Sequence, residues 1–195
     1  MWNERYSGAD YVYGTEPNDF LKSIAGRIPR GQILSLGEGE GRNAVFLAEL
    51  GCNVLAVDQS PVGLEKARRL AELRGVEIHT VVADLAGYEI ASGDWDAIVS
   101  IFCHLPAQLR RAVYRKVVKG LRSGGLFALE AYTPAQLQFK TGGPTSADFL
   151  ASLSTLKDEL KGLDFELGQE LERSVVEGQF HTGRAAVVQI LARKP

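Results

Sequence analysis

A glycine-rich run, Leu34-Ser35-Leu36-Gly37-Glu38-Gly39-Glu40-Gly41, follows an apolar, strand-like segment and opens a helix-like one. Glycines so placed let the chain turn tightly and bring a ligand against the main chain. Alone, such a run is ordinary turn chemistry. Asp58 changes the reading: it ends the next apolar segment about twenty residues on, where a carboxylate can accept two hydrogen bonds from a ribose diol. Together they point to nucleoside binding. Glu38 and Glu40 would oppose a pyrophosphate electrostatically, which argues against a nicotinamide dinucleotide and for a ligand without phosphates.

Groups able to move a proton are few. His104 follows the fourth strand candidate, where side chains of an open parallel sheet point toward the crevice at the strand ends. Its ordinary pKa suits proton abstraction near neutral pH. Capping the helix after Leu105-Pro106 is its competing role. Glu130, Tyr132, Gln136 and Gln138 gather at and beyond the end of the fifth strand candidate, beside Gly142-Gly143-Pro144. Tyr132 either orients a substrate there or packs on that loop. Cys52 and Cys103 lack the paired spacing of a zinc or redox motif, so no metal site is expected and both read as buried thiols.

The elements that must position these residues alternate regularly from about residue 32 to residue 131. Short β-branched runs, Gln32 to Leu36, Asn53 to Val57, Glu77 to Val82, Ala97 to Ile101 and Leu126 to Ala131, read as strands. Between them, Leu64, Ala67, Leu70 and Ala71 form one helical stripe, and Leu109, Val113, Val117 and Leu121 another. This alternation predicts βαβ units and a parallel sheet with helices on both faces. Ser60-Pro61 has the form of a helix start, and Ser123-Gly124-Gly125 reads as punctuation before the fifth strand. The last third predicts a helix from about Asp148 to Leu160, then strands Phe165 to Val176 and Ala185 to Ala192, antiparallel to each other. His181 reads as an exposed residue of their turn. Thr133 to Ser146 has no regular pattern, and loops of that length are often functional.

With 195 residues, 45% of them hydrophobic, one domain is expected. Lys and Arg number 22 against 24 Asp and Glu, a net charge of -2 without a basic block, which disfavours nucleic acid as a partner. The charged, aromatic start Met1-Trp2-Asn3-Glu4-Arg5-Tyr6 is unlike a signal peptide, and no stretch reaches the roughly 18 apolar residues of a membrane span, so a cytoplasmic protein without membrane contact is expected.

Leu36 to Gly41, Asp58 and Ala83-Asp84-Leu85 resemble the cofactor motifs of class I S-adenosylmethionine-dependent methyltransferases. Gly41-Arg42-Asn43-Ala44, Asp58-Gln59-Ser60, Ile101 to Pro106 and Gly142-Gly143-Pro144 are most similar to the small bacterial group related to tellurite-resistance and thiopurine methyltransferases. The likeness covers residues 30 to 132. It implies a doubly wound, Rossmann-like, seven-stranded and mostly parallel sheet with an antiparallel last strand. It further implies that Gly37, Gly39 and Gly41 line the methionine part of the cofactor, that Asp58 holds the ribose and that Gln59 flanks the adenine. Asp84 would accept from the adenine amino group beside the Leu85 backbone, with Ser100 and Ile101 near the sulfonium. Arg42 would face the cofactor carboxylate. For Asp84 the competing role is a turn after a strand, and for Arg42 a solvated first-turn arginine.

Ser35 departs from the family, whose members commonly carry an acid at that position near the methionine amino group; Glu38 is the available substitute. Trp2, Tyr6, Tyr11 and Tyr13 before Gly14-Thr15-Glu16-Pro17 either pack over the sheet edge or form a lid over the cofactor, with Tyr13 the contact. The division implied is 1–30 as an N-terminal lid or helical segment, 31–131 as the cofactor-binding core and 132–195 as acceptor loop, helix and final strand pair. The expected activity is methyl transfer from S-adenosylmethionine to a small acceptor, a thiol, selenium or metalloid compound, leaving S-adenosylhomocysteine. Tyr132 and His104 stand nearest the chemistry, in a monomer or homodimer. A module that binds the cofactor without turnover and an NAD-dependent oxidoreductase are the rivals.

Overall fold

A computed structural model describes residues 2–139, 141–178 and 182–195. Strands β1 (Gln32–Leu36), β2 (Asn53–Asp58), β3 (His79–Val82), β4 (Trp95–Ile101), β5 (Leu121–Tyr132), β6 (Asp164–Val176) and β7 (Thr182–Arg193) form a seven-stranded sheet of order β3-β2-β1-β4-β5-β7-β6. Neighbours from β3 across to β5 pair in parallel, while β7 runs antiparallel to both β5 and β6. The chain thus winds outward from β1 to β3 and then returns to β4 on the other side. That reversal opens a crevice at the carboxyl ends of β1 and β4.

Alternation along each strand divides the apolar side chains between two layers. Ile33, Val54, Ala56, Ala97 and Val99 face one layer with Leu21 and Ile24 of α2 (Asp19–Ile24), Ala44 and Leu47 of α3 (Arg42–Glu49) and Leu64, Ala67 and Leu70 of α4 (Pro61–Arg74). Leu34, Leu36, Ile98, Phe127 and Leu129 face the other with Val113, Tyr114 and Val117 of α5 (Ala107–Gly120) and Leu156 of α6 (Leu153–Glu159). Each fully buried aliphatic or aromatic side chain of this kind contributes about 1.5–3 kcal/mol. The α4 boundaries follow local chemistry: Ser60 Oγ accepts from Gly63 N at 3.1 Å, Pro61 opens the helix and Gly75 closes it at φ 70°. A short helix α1 (Trp2–Arg5) docks at that same N-terminus, where Ser60 Oγ donates to Asn3 Oδ1 at 2.6 Å.

Several boundaries differ from the sequence pattern. Leu121 continues the apolar stripe of α5 yet begins β5 opposite Trp95, because the edge of the second core accepts an apolar side chain from either element. Ser123-Gly124-Gly125 consequently lies inside β5, where the register shifts and Gly124 takes φ 81°. The expected helix from Asp148 shrinks to a 3-10 turn, Ala147–Phe149, followed by α6, whose start is set by Ser152 accepting from Thr155 N. The N-terminal region holds α1, α2 and a 3-10 turn, Ala25–Arg27. The long segment after β5 forms a 3-10 helix, Pro134–Gln138. His181 lies outside the described residues. No helix among the described residues is long and apolar enough to cross a membrane.

Candidate functional site

The glycine loop leaves β1 at the crevice with Gly37, Gly39 and Gly41 at φ 63°, 65° and 96°, the left-handed region that other residues avoid. Space demands glycine as well. A Cβ on Gly37 would lie 2.5 Å from Cys103 Sγ across the crevice, and one on Gly41 would lie 2.6 Å from Ala67 Cα. Cys52 is buried as expected, whereas Cys103 is only half-buried; desolvation of its thiol still pushes the pKa up to about 12, so it stays protonated near neutral pH.

Asp58 fastens this loop from the end of β2. Its Oδ2 accepts from Gly39 N at 2.9 Å and its Oδ1 from Ser60 N at 2.8 Å. Each oxygen keeps a second lone pair, so these bonds orient the carboxylate without exhausting it. Burial raises its pKa. Gln59, next in sequence, is exposed.

The two loop glutamates have separate tasks. Glu38 turns inward: Oε1 accepts from Asn43 N at 3.0 Å and Ala44 N at 2.9 Å, while Ser35 Oγ hydrogen-bonds Oε2. It therefore covers the N-terminal amides of α3, which a pyrophosphate uses in a dinucleotide site. Burial raises its pKa against these favourable contacts. Glu40 turns outward and holds the N-terminal segment, accepting from Val12 N at 2.8 Å and pairing with Lys66 Nζ at 2.7 Å. Lys66 also donates to Asp10 O. Tyr13 lies within this segment, its hydroxyl accepting from Arg5 at 3.0 Å. Tyr6 fills the space over Gly39 and Gly63.

Arg42 is not a solvated arginine, since it is only 7% exposed. Its Nη2 meets Glu177 Oε2 at 2.5 Å, and Nη1 is buried without an acceptor. Glu177, just past β6, also receives Arg173 Nη2 at 2.8 Å and Asn18 Nδ2 at 2.9 Å. Glu130 takes Arg173 Nε at 2.9 Å and Gln189 Nε2 at 2.7 Å. Glu130, grouped by sequence with the acceptor residues, is therefore fully consumed inside the protein, and Gln136 likewise spends its side chain on Ala186 N, Thr141 and Gly142 O. Neither Glu177 nor Arg173 is marked in the sequence by spacing or motif.

At the other side of the crevice, β4 ends with Ser100 and Ile101. Both side chains are buried, so the main chain is what this strand end offers a ligand. Phe102 follows at φ 50°, a left-handed conformation that costs a bulky residue about 1–2 kcal/mol. Sequence reasoning passed over Phe102, since backbone strain leaves no compositional trace. Its ring centroid lies 4.7 Å from that of Tyr132, and the His104 ring stacks on Tyr132 at 5.2 Å with planes 5° apart.

His104 does not cap α5, whose N-cap is Pro106 without a side-chain bond. Instead its Nε2 accepts from Tyr132 N at 3.3 Å, which in the neutral ring puts the proton on Nδ1. Tyr132 is 1% exposed, and Gly143 passes against it so closely that a Cβ would fall 2.5 Å from its ring. Its pKa is raised by burial and by Glu177 and Glu130, so the phenol keeps its proton. Asp84 stands apart, exposed, with Oδ1 accepting from Ala86 N at 2.9 Å in the turn after β3. Leu85 beside it is buried.

Comparison with known proteins bears on the family and the fold. Residues 33–125 match a family model described as a methyltransferase domain. The chain is 26% identical over 134 residues to the 2-heptyl-1-hydroxyquinolin-4(1H)-one methyltransferase of Mycobacteroides abscessus, covering 67% of this chain and 59% of that protein. It is 31% identical over 120 residues to the ribosomal protein L11 methyltransferase of Symbiobacterium thermophilum, covering 61% and 38%. These matches span less than two thirds of the relatives' own lengths. TehB from Haemophilus influenzae shares the fold at a TM-score of 0.76 and 20% identity, over 100% of this chain and 66% of that one. A protein structure described under the conversion of a disulfide bond into a thioacetal group during echinomycin biosynthesis shares the fold at 0.79 and 19%, over 98% and 87%. Sheet order, glycine loop and family match together identify residues 33–125 as a class I S-adenosylmethionine-dependent methyltransferase domain.

Proposed function

We propose that this protein transfers the methyl group of S-adenosylmethionine to a small, soft nucleophile, with thiols, selenium and metalloid compounds as the acceptor class. The observation that carries this reading is the hydrogen bond from Tyr132 N to His104 Nε2. It engages the imidazole nitrogen that would otherwise collect a proton, while the neighbouring Tyr132 phenol is held protonated. An acceptor served by such a site must bring its own electron pair. Thiols do so readily, since they ionise near pH 8.5, whereas an aliphatic alcohol does not.

The residues fit this cofactor on their own chemistry. Glu38 covers the amides that phosphates require, and Arg42 Nη1 is a buried donor awaiting an anion. Asp58 would hold the ribose, Gln59 flank the adenine, and Asp84 with the Leu85 backbone meet the adenine edge. Gly37, Gly39, Gly41 and the ends of Ser100 and Ile101 would line the methionine and sulfonium. Glu38, steadied by Ser35, would serve the amino group and Arg42 the carboxylate. Bound there, the cofactor supplies an electrophilic methyl on a sulfonium, and the protein's work is to align the acceptor and exclude water. Tyr13 and its segment, pinned by Glu40, would close the site, and Tyr132 with His104 would orient the acceptor. The structural neighbour described under the conversion of a disulfide bond into a thioacetal group supports sulfur as the acceptor atom.

Calorimetric titration with S-adenosylmethionine, S-adenosylhomocysteine and NAD tests the cofactor half. One-site binding of the first two without NAD is expected, and NAD binding alone refutes it. Turnover of a thiol, selenite and tellurite panel against phenol and amine controls tests the acceptor half. Preference for the controls refutes the soft-nucleophile reading, and binding without any turnover points to a sensing module.

A further inference from the structure

Among the described residues, the buried side-chain nitrogens and oxygens without a hydrogen-bond partner are Arg42 Nη1 and Trp95 Nε1. An unmet donor inside a protein costs free energy, more so on a charged group. Trp95 sits at the opposite end of the sheet, at the start of β4. Arg42 sits at the first turn of α3, at the mouth of the crevice, and its other terminal nitrogen is firmly held.

We propose that Glu177 is a positioning residue for methyl transfer: anchored by Arg173 and Asn18, it fixes the Arg42 guanidinium through Nη2 so that Nη1 receives a carboxylate. This rests on the methyltransferase reading above and adds the residue that aims its arginine. Glu177 has little freedom of its own. It is 5% exposed, its Oε1 is shared by Arg173 Nη2 and Asn18 Nδ2, and its Oε2 meets Arg42. Arg173 is held in turn by both oxygens of Glu130, at 2.9 Å and 2.8 Å. Asn18 ties the cluster to the glycine-loop side, its own N–H donating to Asn43 Oδ1 at 3.0 Å. A planar guanidinium clamped at one nitrogen has its remaining donors aimed by geometry.

Two guanidinium groups meet three carboxylates in this cluster, since the exposed Asp19 also pairs with Arg173 Nη1 at 3.2 Å, so it holds no surplus positive charge. An incoming carboxylate is therefore best accommodated when it brings a counter-charge, as an amino-acid group does. The carboxylate could belong to the methionine part of the cofactor or to the acceptor. Gly178, directly after Glu177, packs so tightly on Val12 and Tyr13 that a Cβ would fall 2.2 Å from Val12 O. The Arg42 anchor is thus joined to the segment that covers the site.

Dissociation constants of S-adenosylhomocysteine and of 5′-methylthioadenosine, which lacks the amino-acid part, separate these possibilities in wild type, Arg42→Gln, Glu177→Gln and Glu177→Asp. Glu177→Gln is expected to weaken S-adenosylhomocysteine about tenfold while methylthioadenosine changes less than about twofold, with Glu177→Asp recovering part of the loss. An unchanged or stronger preference for S-adenosylhomocysteine in Glu177→Gln overturns the inference unless KM rises selectively for carboxylate-bearing acceptors, which assigns the carboxylate to the acceptor. If Arg42→Gln is selective and Glu177→Gln is not, Glu177 loses its role and the cofactor reading stands. If Arg42→Gln affects neither ligand selectively nor acceptor KM, the carboxylate contact itself fails. Methylthioadenosine binding also reports an intact fold: should Glu177→Gln lose it, Glu177→Asp decides, and equal loss of both ligands there returns Glu177 to a purely structural role.

Discussion

The two walls of the crevice are built on different principles. On the cofactor side the polar contacts are short-range in sequence: Asp58 to Ser60 spans 2 residues, Glu38 to Asn43 and Ala44 spans 5 and 6, and Asp58 to Gly39 spans 19. On the hairpin side they span 43 residues from Glu130 to Arg173, 135 from Arg42 to Glu177 and 159 from Asn18 to Glu177. One wall is a set of carboxylates satisfied by nearby main-chain amides. The other is a desolvated network of whole charges from distant strands. The first can form as soon as β1 and β2 pair, whereas the second exists only when β5, β6, β7 and the N-terminal segment are all in place.

Breaking the far wall should therefore have the largest effect. Glu130→Ala removes a fully buried carboxylate that holds Asn18, Gln189 and Arg173 at once, leaving Arg173 to Glu177 and Asp19, and is expected to lower stability by about 3–5 kcal/mol, read by urea unfolding. A loss under about 1 kcal/mol would show the network to be as weak as an exposed ion pair. On the near wall, Gly41→Ala meets both a positive φ and Ala67, so a loss of roughly 1–3 kcal/mol is expected together with weaker S-adenosylhomocysteine binding. Unaltered binding would mean the loop can shift away from α4 without consequence.

Asp58→Ala should weaken S-adenosylhomocysteine by about 1–3 kcal/mol in titration calorimetry, since a charged acceptor and a loop anchor are lost together. Equal affinity would remove the ribose assignment. Tyr132→Phe keeps the stacking on His104 and should change acceptor turnover more than cofactor affinity; identical kinetics would leave Tyr132 a packing residue.

The smallest effect is a pH dependence. The Glu38 pKa is raised in the folded state, mainly by burial, so the native protein binds the proton more tightly than the unfolded chain. Its contribution to stability should then decline as pH rises from 4.5, the ordinary value, through the raised folded value. Thermal unfolding of wild type minus Glu38→Gln across that range isolates this term. A difference that grows in favour of wild type with pH would mean the helix amides and Ser35 outweigh desolvation.

Much of the near wall was legible because its signals are local. Gly37, Gly39, Gly41 and Asp58 announce themselves through backbone requirements and spacing, and the helix start at Ser60-Pro61 follows from capping alone. The α5–β5 junction was not legible, because an apolar Leu121 suits a helix stripe and a strand equally well until Trp95 pairs with it. His104 is a sharper case. Its position after β4 was readable, but its bond to Tyr132 N depends on where β5 ends, 28 residues later.

The sequence by itself determined the alternating α/β order, the parallel core of the sheet and the turn chemistry of the nucleoside loop, because periodicity, glycine backbone freedom and capping act over a few residues. Only the tertiary structure decided that Glu38 faces the helix while Glu40 faces the N-terminal segment, that Phe102 is left-handed, and that the buried Arg42, Glu177 and Glu130 share one network with the half-buried Arg173. The physical reason is that a charge carries no mark of its partner in sequence. Its partner is chosen by which strands desolvate it together.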